Sequence, residues 1–142
     1  MTNRIQQIIS QLAKTPKKIF LIDAIGAFLT AFLLFAVLRT WNEYIGMPKK
    51  TITILSVIAL IFCFYSTFCF LINNRNRRFF LKIITASNLL YCCLTLVLLI
   101  YHFHELTIIG IIYFAGEILI ICSLIYIELA ILKSIKQNAE FQ

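Results

Sequence analysis

Charge is scarce along most of this sequence. Only 13% of its 142 residues are Asp, Glu, Lys or Arg, whereas 61% are hydrophobic. A helix on the surface of a soluble protein keeps one charged face, but the long apolar stretches here are apolar on every side and are interrupted mainly by Ser, Thr, Asn and single acids. The composition therefore excludes the soluble globular class.

Glycine and catalytic motifs are scarce as well. The four glycines are too few to build a phosphate-binding loop, and the sequence contains no G-x-S-x-G, H-E-x-x-H, Walker or dinucleotide-binding motif. The segments outside the apolar stretches are short and leave no room for a soluble catalytic domain. We therefore expect any ligand site within the helices or at their ends, and we expect no cofactor.

The five cysteines form no C-x-x-C motif, and none lies in a predicted outer loop. Membrane thiol oxidases and quinone reductases with a similar number of helices need cysteine pairs in loops or at the interface. The pattern argues against that class and favours cysteines that act as small apolar side chains. They are Cys63, Cys69, Cys92, Cys93 and Cys122.

Four long apolar stretches make up most of the chain. A helix needs about 20 predominantly apolar residues to cross the bilayer core, and each stretch is long enough. They cover residues 19–38, 52–72, 79–101 and 106–132. We therefore predict an all-α integral membrane protein whose residues 17–133 form a four-helix bundle.

A short amphipathic helix is predicted before the first span, within residues 1–16. Pro16 would stop this helix, and we expect it to lie in the membrane interface beside anionic headgroups. Its apolar residues share one helical face: Ile5, Ile8, Ile9 and Leu12.

The basic residues predict the orientation of the bundle. Nine of the thirteen lysines and arginines fall before the first span, between the second and third spans or after the fourth, and a tenth, Lys82, lies at the start of the third span. These positions lie on one side of the membrane. The positive-inside rule places that side, with both termini, in the cytoplasm, so residues 134–142 form a cytoplasmic tail. Because the charge is confined to these segments, we expect them to contact anionic phospholipid headgroups and not nucleic acid.

Each predicted span carries one stripe of small and hydrogen-bonding residues. Such residues hold helices together in lipid, where apolar area gives little net drive. We therefore expect the stripes to face one another inside the bundle. They consist of Asp23, Gly26, Ala27, Thr30 and Ala31; Ser56, Ala59, Cys63 and Ser66; Thr85, Asn88, Cys92 and Thr95; and Gly110, Tyr113, Glu117, Leu124 and Glu128.

Glu117 is the most informative of these residues. It falls near the middle of the fourth span, where a charged side chain costs about 2.5–3.5 kcal/mol. We predict that Asn88, Tyr91 and Tyr113 surround it in a central polar layer, and Ser66 lies at a similar depth. This layer could bind or relay a proton or hold a cation. The alternative is that protonated Glu117 only hydrogen-bonds across the bundle.

Asp23 and Glu128 form a second predicted layer, about one turn in from the cytoplasmic ends of their helices. We expect them to be solvated or paired with basic residues near that end. The alternative is a cytoplasmic mouth that passes protons or ions to Glu117. The candidate basic partners are Lys18, Arg78, Lys82 and Lys133.

A histidine cluster in the outer turn is a weak candidate metal site. His102, His104 and Glu105 lie together in sequence, but a strong zinc signal has three or four ligands at recurrent spacing. No two histidines face each other within the bilayer as a haem ligand pair would. We therefore predict interfacial histidines without a metal.

Four segments carry a resemblance to known proteins: LIDAIGAFLTAFLL, EYIGMPK, SNLLYCCLT and LTIIGIIYFAGEI. Over residues 19–132 the chain resembles an uncharacterised family of small bacterial four-span integral membrane proteins. The resemblance implies a bacterial inner-membrane location and no particular activity. The four-span small multidrug transporters are a looser parallel, because their membrane-embedded Glu lies in the first helix, where this chain has Asp23.

Three functions fit these patterns, in a protein that is a monomer or a homodimer. The first is a small transport or permeation protein that uses Glu117, for which we expect a polar cavity open from one side. The second is a non-catalytic accessory protein that binds lipid or a partner membrane protein, for which we expect a closed bundle with an apolar groove. The third is an intramembrane enzyme, which would need acids and histidines to converge.

Overall fold

The computed structural model of the chain describes Thr15, residues 17–72 and residues 76–140. Within these ranges the chain consists of helices and their connections, without a strand. The predicted amphipathic helix of residues 1–16 and the final two residues of the predicted tail lie outside the described residues, apart from Thr15.

Five α-helices follow one another along the described chain. Four of them, counting α1 together with its π-helical end, are long and apolar enough to cross a membrane. The prediction of an all-helical chain with four helices long and apolar enough to span a membrane is confirmed for the described residues. The helices are α1 (Lys17–Phe32, continued by the π-helical segment Leu33–Leu38), α2 (Asn42–Ile45), α3 (Lys49–Leu71), α4 (Arg77–Tyr101) and α5 (Ile108–Glu140).

The helix ends differ from the predicted spans in two places. Helix α3 begins at Lys49, directly after Pro48, because proline lacks the backbone N–H that the start of a helix leaves unused. Helix α5 continues to Glu140, well past residue 132, because the polar sequence K-S-I-K-Q-N-A-E contains neither Gly nor Pro to end it. The polar residues after position 132 correctly mark the end of the apolar stretch, but the helix itself continues through them.

The four long helices pack as two hairpins. Helices α1 and α3 contact each other closely along their length, and α4 and α5 do the same, whereas contacts between the two pairs are sparser. We call α1 with α3 the first hairpin and α4 with α5 the second hairpin. We call the end of the bundle where α1 and α4 begin the basic end.

Apolar side chains fill the bundle near both ends. At the basic end, a buried basic-end cluster draws on all four long helices: Ile19, Phe20, Cys69, Leu81, Ile84 and Ile131. At the other end, the opposite-end cluster includes Leu34, Leu38, Ile45, Met47, Ile52, Leu55 and Phe114. The middle of the bundle, between these two clusters, contains most of the buried polar side chains.

The two connections at the opposite end are joined by backbone contacts. The Thr107 N–H donates to the Ile45 carbonyl at 3.0 Å, and the Thr107 hydroxyl donates to the Tyr44 carbonyl at 2.6 Å. Gly46 adopts φ +82°, and a Cβ there would lie 1.9 Å from the Glu105 carbonyl oxygen. Glycine is therefore required at this corner both by its left-handed backbone and by the close approach of the neighbouring chain.

Gly110 allows the start of α5 to lie directly against the same corner. A Cβ at Gly110 would lie 2.3 Å from the Ile45 carbonyl oxygen, whereas nothing lies within 4 Å of a Cβ at Gly116 on the same helix. We expect Gly110→Ala to lower the free energy of unfolding by about 1–3 kcal/mol, because backbone must shift to admit the methyl group. The measurement is thermal unfolding of the purified protein in detergent micelles.

Gly116→Ala is the matched control for this prediction. Ala has a higher helix propensity than Gly and finds open space at position 116, so this variant should unfold at or above the wild-type temperature. Equal unfolding temperatures for Gly110→Ala and Gly116→Ala would contradict the described packing of α5 against the corner.

Candidate functional site

Four buried polar side chains, one from each long helix, meet in the basic-end half of the bundle. They are Asp23 of α1, Ser66 of α3, Asn88 of α4 and Glu128 of α5, and none is more than 8% exposed. We call them the four-helix polar cluster. On each helix, the polar residue lies about one turn further from the basic end than the residues of the basic-end cluster. Apolar side chains therefore separate the four-helix polar cluster from that end.

Asn88 holds the four-helix polar cluster together. Its amide nitrogen donates to Asp23 Oδ1 at 2.7 Å and to Glu128 Oε1 at 3.2 Å. The amide group can serve both carboxyls because its nitrogen carries two hydrogens. The Ser66 hydroxyl donates to the second oxygen of Asp23. These bonds connect the two hairpins and link the helices within each of them.

One carboxyl oxygen in this cluster has no visible partner. Glu128 is 0% exposed, and its Oε2 atom has no hydrogen-bond partner among the described residues. The neighbouring Thr85 hydroxyl donates to the Leu81 carbonyl of its own helix. Since an unsatisfied buried polar atom costs about 1–3 kcal/mol, Glu128 is a group that stability alone does not favour.

A second polar pair lies further from the basic end. The Tyr91 hydroxyl of α4 donates to Glu117 Oε1 of α5 at 3.0 Å. Glu117 is 7% exposed, and its Oε2 atom also has no hydrogen-bond partner among the described residues. The Tyr91 ring packs edge-on against Phe62 of α3 at 6.0 Å, which fixes the direction of its hydroxyl. Tyr113 lies one turn before Glu117 on the same face of α5.

A cavity of about 60 Å³ lies beside the four-helix polar cluster and Tyr91, and it is partly open at the side of the bundle, where the exposed Ile120 lines it. Asp23 and Asn88 line one part of it, and Tyr91 lines another. A water molecule needs about 10–15 Å³ of such volume and two or more polar partners, so the cavity has room for a short chain of waters. The remaining lining residues are Gly26, Ala27, Thr30, Ala59, Phe62, Ile120, Ile121 and Leu124.

The structure groups the predicted polar residues differently from the sequence analysis. Asn88 and Ser66, which we expected around or level with Glu117, contact Asp23 instead. Asn88 and Tyr91 are adjacent on one face of α4, but each bonds to a different acid. The prediction placed all these residues by depth alone, and one helical turn of error in depth is enough to move Asn88 to the other acid.

Asp23 and Glu128 are also placed differently from the expectation. We expected solvated or salt-bridged carboxyls near the cytoplasmic ends, but the side chains are 2% and 0% exposed and bond to Asn88. The basic-end cluster covers them, and α5 extends far past Glu128. Depth along the helix therefore did not predict the burial of Glu128, because the neighbouring helices cover it.

The histidines of the outer turn stay outside this polar interior. His102 Nδ1 lies 3.0 Å from Glu105 Oε2 within one exposed turn. Among the described residues, no three His, Cys, Asp or Glu side chains are grouped so that they could hold a metal ion.

The structure also brings together residues that the sequence analysis left separate. The cavity of about 60 Å³ exists because residues of α1, above all Gly26 and Ala27, are too small to fill the gap between α1 and α5. The thiols of Cys92 and Cys122 lie 3.7 Å apart between α4 and α5. No spacing in the sequence indicates either feature, because each joins helices that are distant along the chain.

Neither a protein-family model, nor a curated protein, nor a solved structure matches this chain. The chemistry of the buried side chains is therefore the basis for assigning a function.

Ser66 gives the clearest stability test of the four-helix polar cluster. Its hydroxyl is 1% exposed and bonds to Asp23 of another helix, so Ser66→Ala leaves a buried carboxyl oxygen without its donor. We expect a loss of about 1–3 kcal/mol in the free energy of unfolding, measured by denaturation in mixed detergent micelles.

Ser123→Ala is the matched control, because the exposed Ser123 hydroxyl bonds only to the Leu119 carbonyl of its own helix. We expect this substitution to change the free energy of unfolding by less than about 0.5 kcal/mol. If both serine substitutions had the same small effect, the bond between Ser66 and Asp23 would have no energetic role.

Proposed function

We propose that this chain is a small membrane transport protein that carries protons through its polar interior. The observation that supports this proposal most strongly is a cavity of about 60 Å³ that is lined by one buried acid and by the hydrogen-bond partner of a second. Asp23 lines the cavity directly, and Glu117 is reached from it through Tyr91. Intramembrane acids of this kind are costly and are by default candidates for proton or ion pathways.

The proposed pathway starts at the four-helix polar cluster. Asp23 and Glu128 both accept from the Asn88 amide group, so two negative charges would face each other in a dry interior if both were ionised. Protonation of one of the two carboxyls would remove that repulsion. Of the two acids, Asp23 lines the cavity, so its carboxyl is the group that would exchange a proton with water there.

The second step runs through the cavity to the Tyr91–Glu117 pair. Water molecules in the cavity would connect the polar atoms of Asp23 and Asn88 with the Tyr91 hydroxyl, which donates to Glu117 at 3.0 Å. Proton transfer needs hydrogen-bond contact, directly or through water. A proton relayed through the Tyr91 hydroxyl would arrive at Glu117 Oε1, and the unpartnered Oε2 atom is the oxygen from which the next transfer would start.

The last step leads from Glu117 towards the opposite end. Tyr113 lies one turn from Glu117 and also lines a groove of about 640 Å³, together with Trp41 and Tyr44. Trp and Tyr are the residues typical of a membrane–water interface. The groove is therefore the proposed point at which the pathway meets the outer surface.

The described conformation is closed at both ends, which departs from the opening expected above for a transport protein and matches the closed bundle expected for an accessory protein. Buried Phe20, Leu81 and Ile131 separate the four-helix polar cluster from the basic end, and Phe114 lies in the opposite-end cluster. Transport would therefore require one end to open at a time, which the sparse contacts between the two hairpins permit. Rocking of one helix pair against the other is a common form of such opening.

We place the basic end in the cytoplasm of a bacterial cell, with the protein in the inner membrane. Lys18, Lys82 and Lys133 are exposed at that end, and each lysine near an anionic leaflet contributes about 1 kcal/mol of attraction. Anionic phospholipid headgroups are thus the proposed contacts of these side chains.

A second candidate function is that of an accessory protein which binds lipid or a partner membrane protein. One specific observation favours it: an apolar groove of about 420 Å³ runs between α1 and α3 on the outside of the closed bundle. Its aromatic lining consists of Phe28, Phe32, Phe35 and Phe64. This function needs no titratable interior, so the two candidates differ in their dependence on Glu117.

Proton flux into liposomes tests the proposed function. The purified protein is reconstituted with a pH-sensitive dye inside, and a potassium gradient with valinomycin sets a membrane potential. We expect the wild-type protein to acidify the lumen at least about tenfold faster than Glu117→Gln, since the amide keeps the shape of the acid but carries no transferable proton.

Glu105→Gln is the control, because Glu105 is an exposed acid in the outer turn and should leave the flux unchanged. Wild-type flux no faster than that of protein-free liposomes would reject proton transport and favour the accessory function. Flux that is equal in wild type and Glu117→Gln would reject the pathway through Glu117.

A further inference from the structure

Two cysteine thiols meet between the helices of the second hairpin. The Sγ atoms of Cys92 on α4 and Cys122 on α5 lie 3.7 Å apart, and all five cysteines of the chain are free thiols. The second part of α4, a turn and the first half of α5 separate the two residues in the sequence, so no cysteine motif indicates their contact.

The distance between the two thiols suits conversion to a disulfide. A disulfide bond is about 2.0 Å long, so the two sulfur atoms must approach by less than the width of one atom. The helices that carry them are in close contact, and rotation about the side-chain bonds of both cysteines is the movement that would bring the sulfur atoms together.

The surroundings of the pair restrict what could oxidise it. Cys92 is 9% exposed, whereas Cys122 is exposed on the outer face of α5. Cys122 lies near the middle of the candidate span Ile108–Lys136, where its exposed side chain would meet lipid. A water-soluble oxidant would not reach this depth, so the oxidant must be soluble in the bilayer and accept two electrons.

We propose that Cys92 and Cys122 form a redox-active thiol pair that a membrane quinone oxidises to an interhelical disulfide. The two S–H bonds break and one S–S bond forms. The two electrons and two protons released pass to the quinone, whose carbonyl oxygens become the hydroxyl groups of the quinol. The thiols are oxidised and the quinone is reduced, so atoms and electrons balance.

The disulfide would fix the second hairpin beside the Tyr91–Glu117 pair. Cys92 directly follows Tyr91, and Cys122 lies little more than one turn after Glu117 on α5. The bond would therefore prevent α4 and α5 from separating next to that pair. The proposal does not depend on proton transport, because the thiol pair exists whatever Glu117 does.

Counting free thiols before and after oxidation tests this proposal. The reconstituted wild-type protein is treated with tetramethylbenzoquinone, whose fully substituted ring cannot add to a thiol, and is then denatured and labelled with a polyethylene glycol maleimide. We expect the five labelled cysteines to fall by two. A phosphine reductant should restore the loss, and the peptides containing residues 92 and 122 should be linked in a mass-spectrometric map.

Variants separate this pair from other cysteines. Each single variant starts with four labelled cysteines. The count should stay at four when Cys122→Ser is treated with the quinone, whereas it should fall from four to two for Cys63→Ser. Three results would overturn the proposal: an unchanged thiol count in the treated wild type, a loss of two thiols in Cys122→Ser, or a disulfide that links two copies of the chain. Thermal unfolding of each variant before treatment establishes that it is folded.

Discussion

The amide nitrogen of Asn88 donates both to Asp23 on the first hairpin and to Glu128 on the second, and the rest of the bundle depends on these bonds. In lipid, apolar area gives little drive for helices to associate, so small residues and hydrogen bonds hold them together. Each hairpin packs closely by itself, but contacts between the hairpins are sparse. The bond from Asn88 to Asp23 crosses this sparsely packed interface.

The same arrangement explains why a cavity exists and why the acids beside it are costly. Small residues on α1 leave space opposite α5 that no side chain fills, about 60 Å³ beside Asp23 and Tyr91. Apolar clusters near both ends keep bulk water away from this cavity. The carboxyl oxygens without partners on Glu117 and Glu128 thus lie where water supply is limited. Such groups are easier to explain by proton binding than by stability.

Sequence reasoning predicted the fold well and the grouping of the site only partly. Length and hydropathy predict the four long helices, and the stripes of small and polar residues include most of the buried polar side chains, among them Ser56, Thr85 and Thr95. Depth counted along single helices did not show which acid Asn88 bonds, because that depends on how far each helix slides past its neighbours. The contact between Cys92 and Cys122 depends on the same offsets.

The most direct test of this account is a double-mutant cycle between Asn88 and Asp23, measured as the free energy of unfolding in mixed detergent micelles. Asn88→Ala, Asp23→Ala and the double variant are compared with the wild type. If the bond joins the two hairpins, the two positions should couple by about 0.6 kcal/mol or more, up to about 1.7 kcal/mol, which are the average and the maximum found for hydrogen bonds between membrane helices. Effects that simply add, within about 0.3 kcal/mol, would show that the positions are independent and would contradict the account.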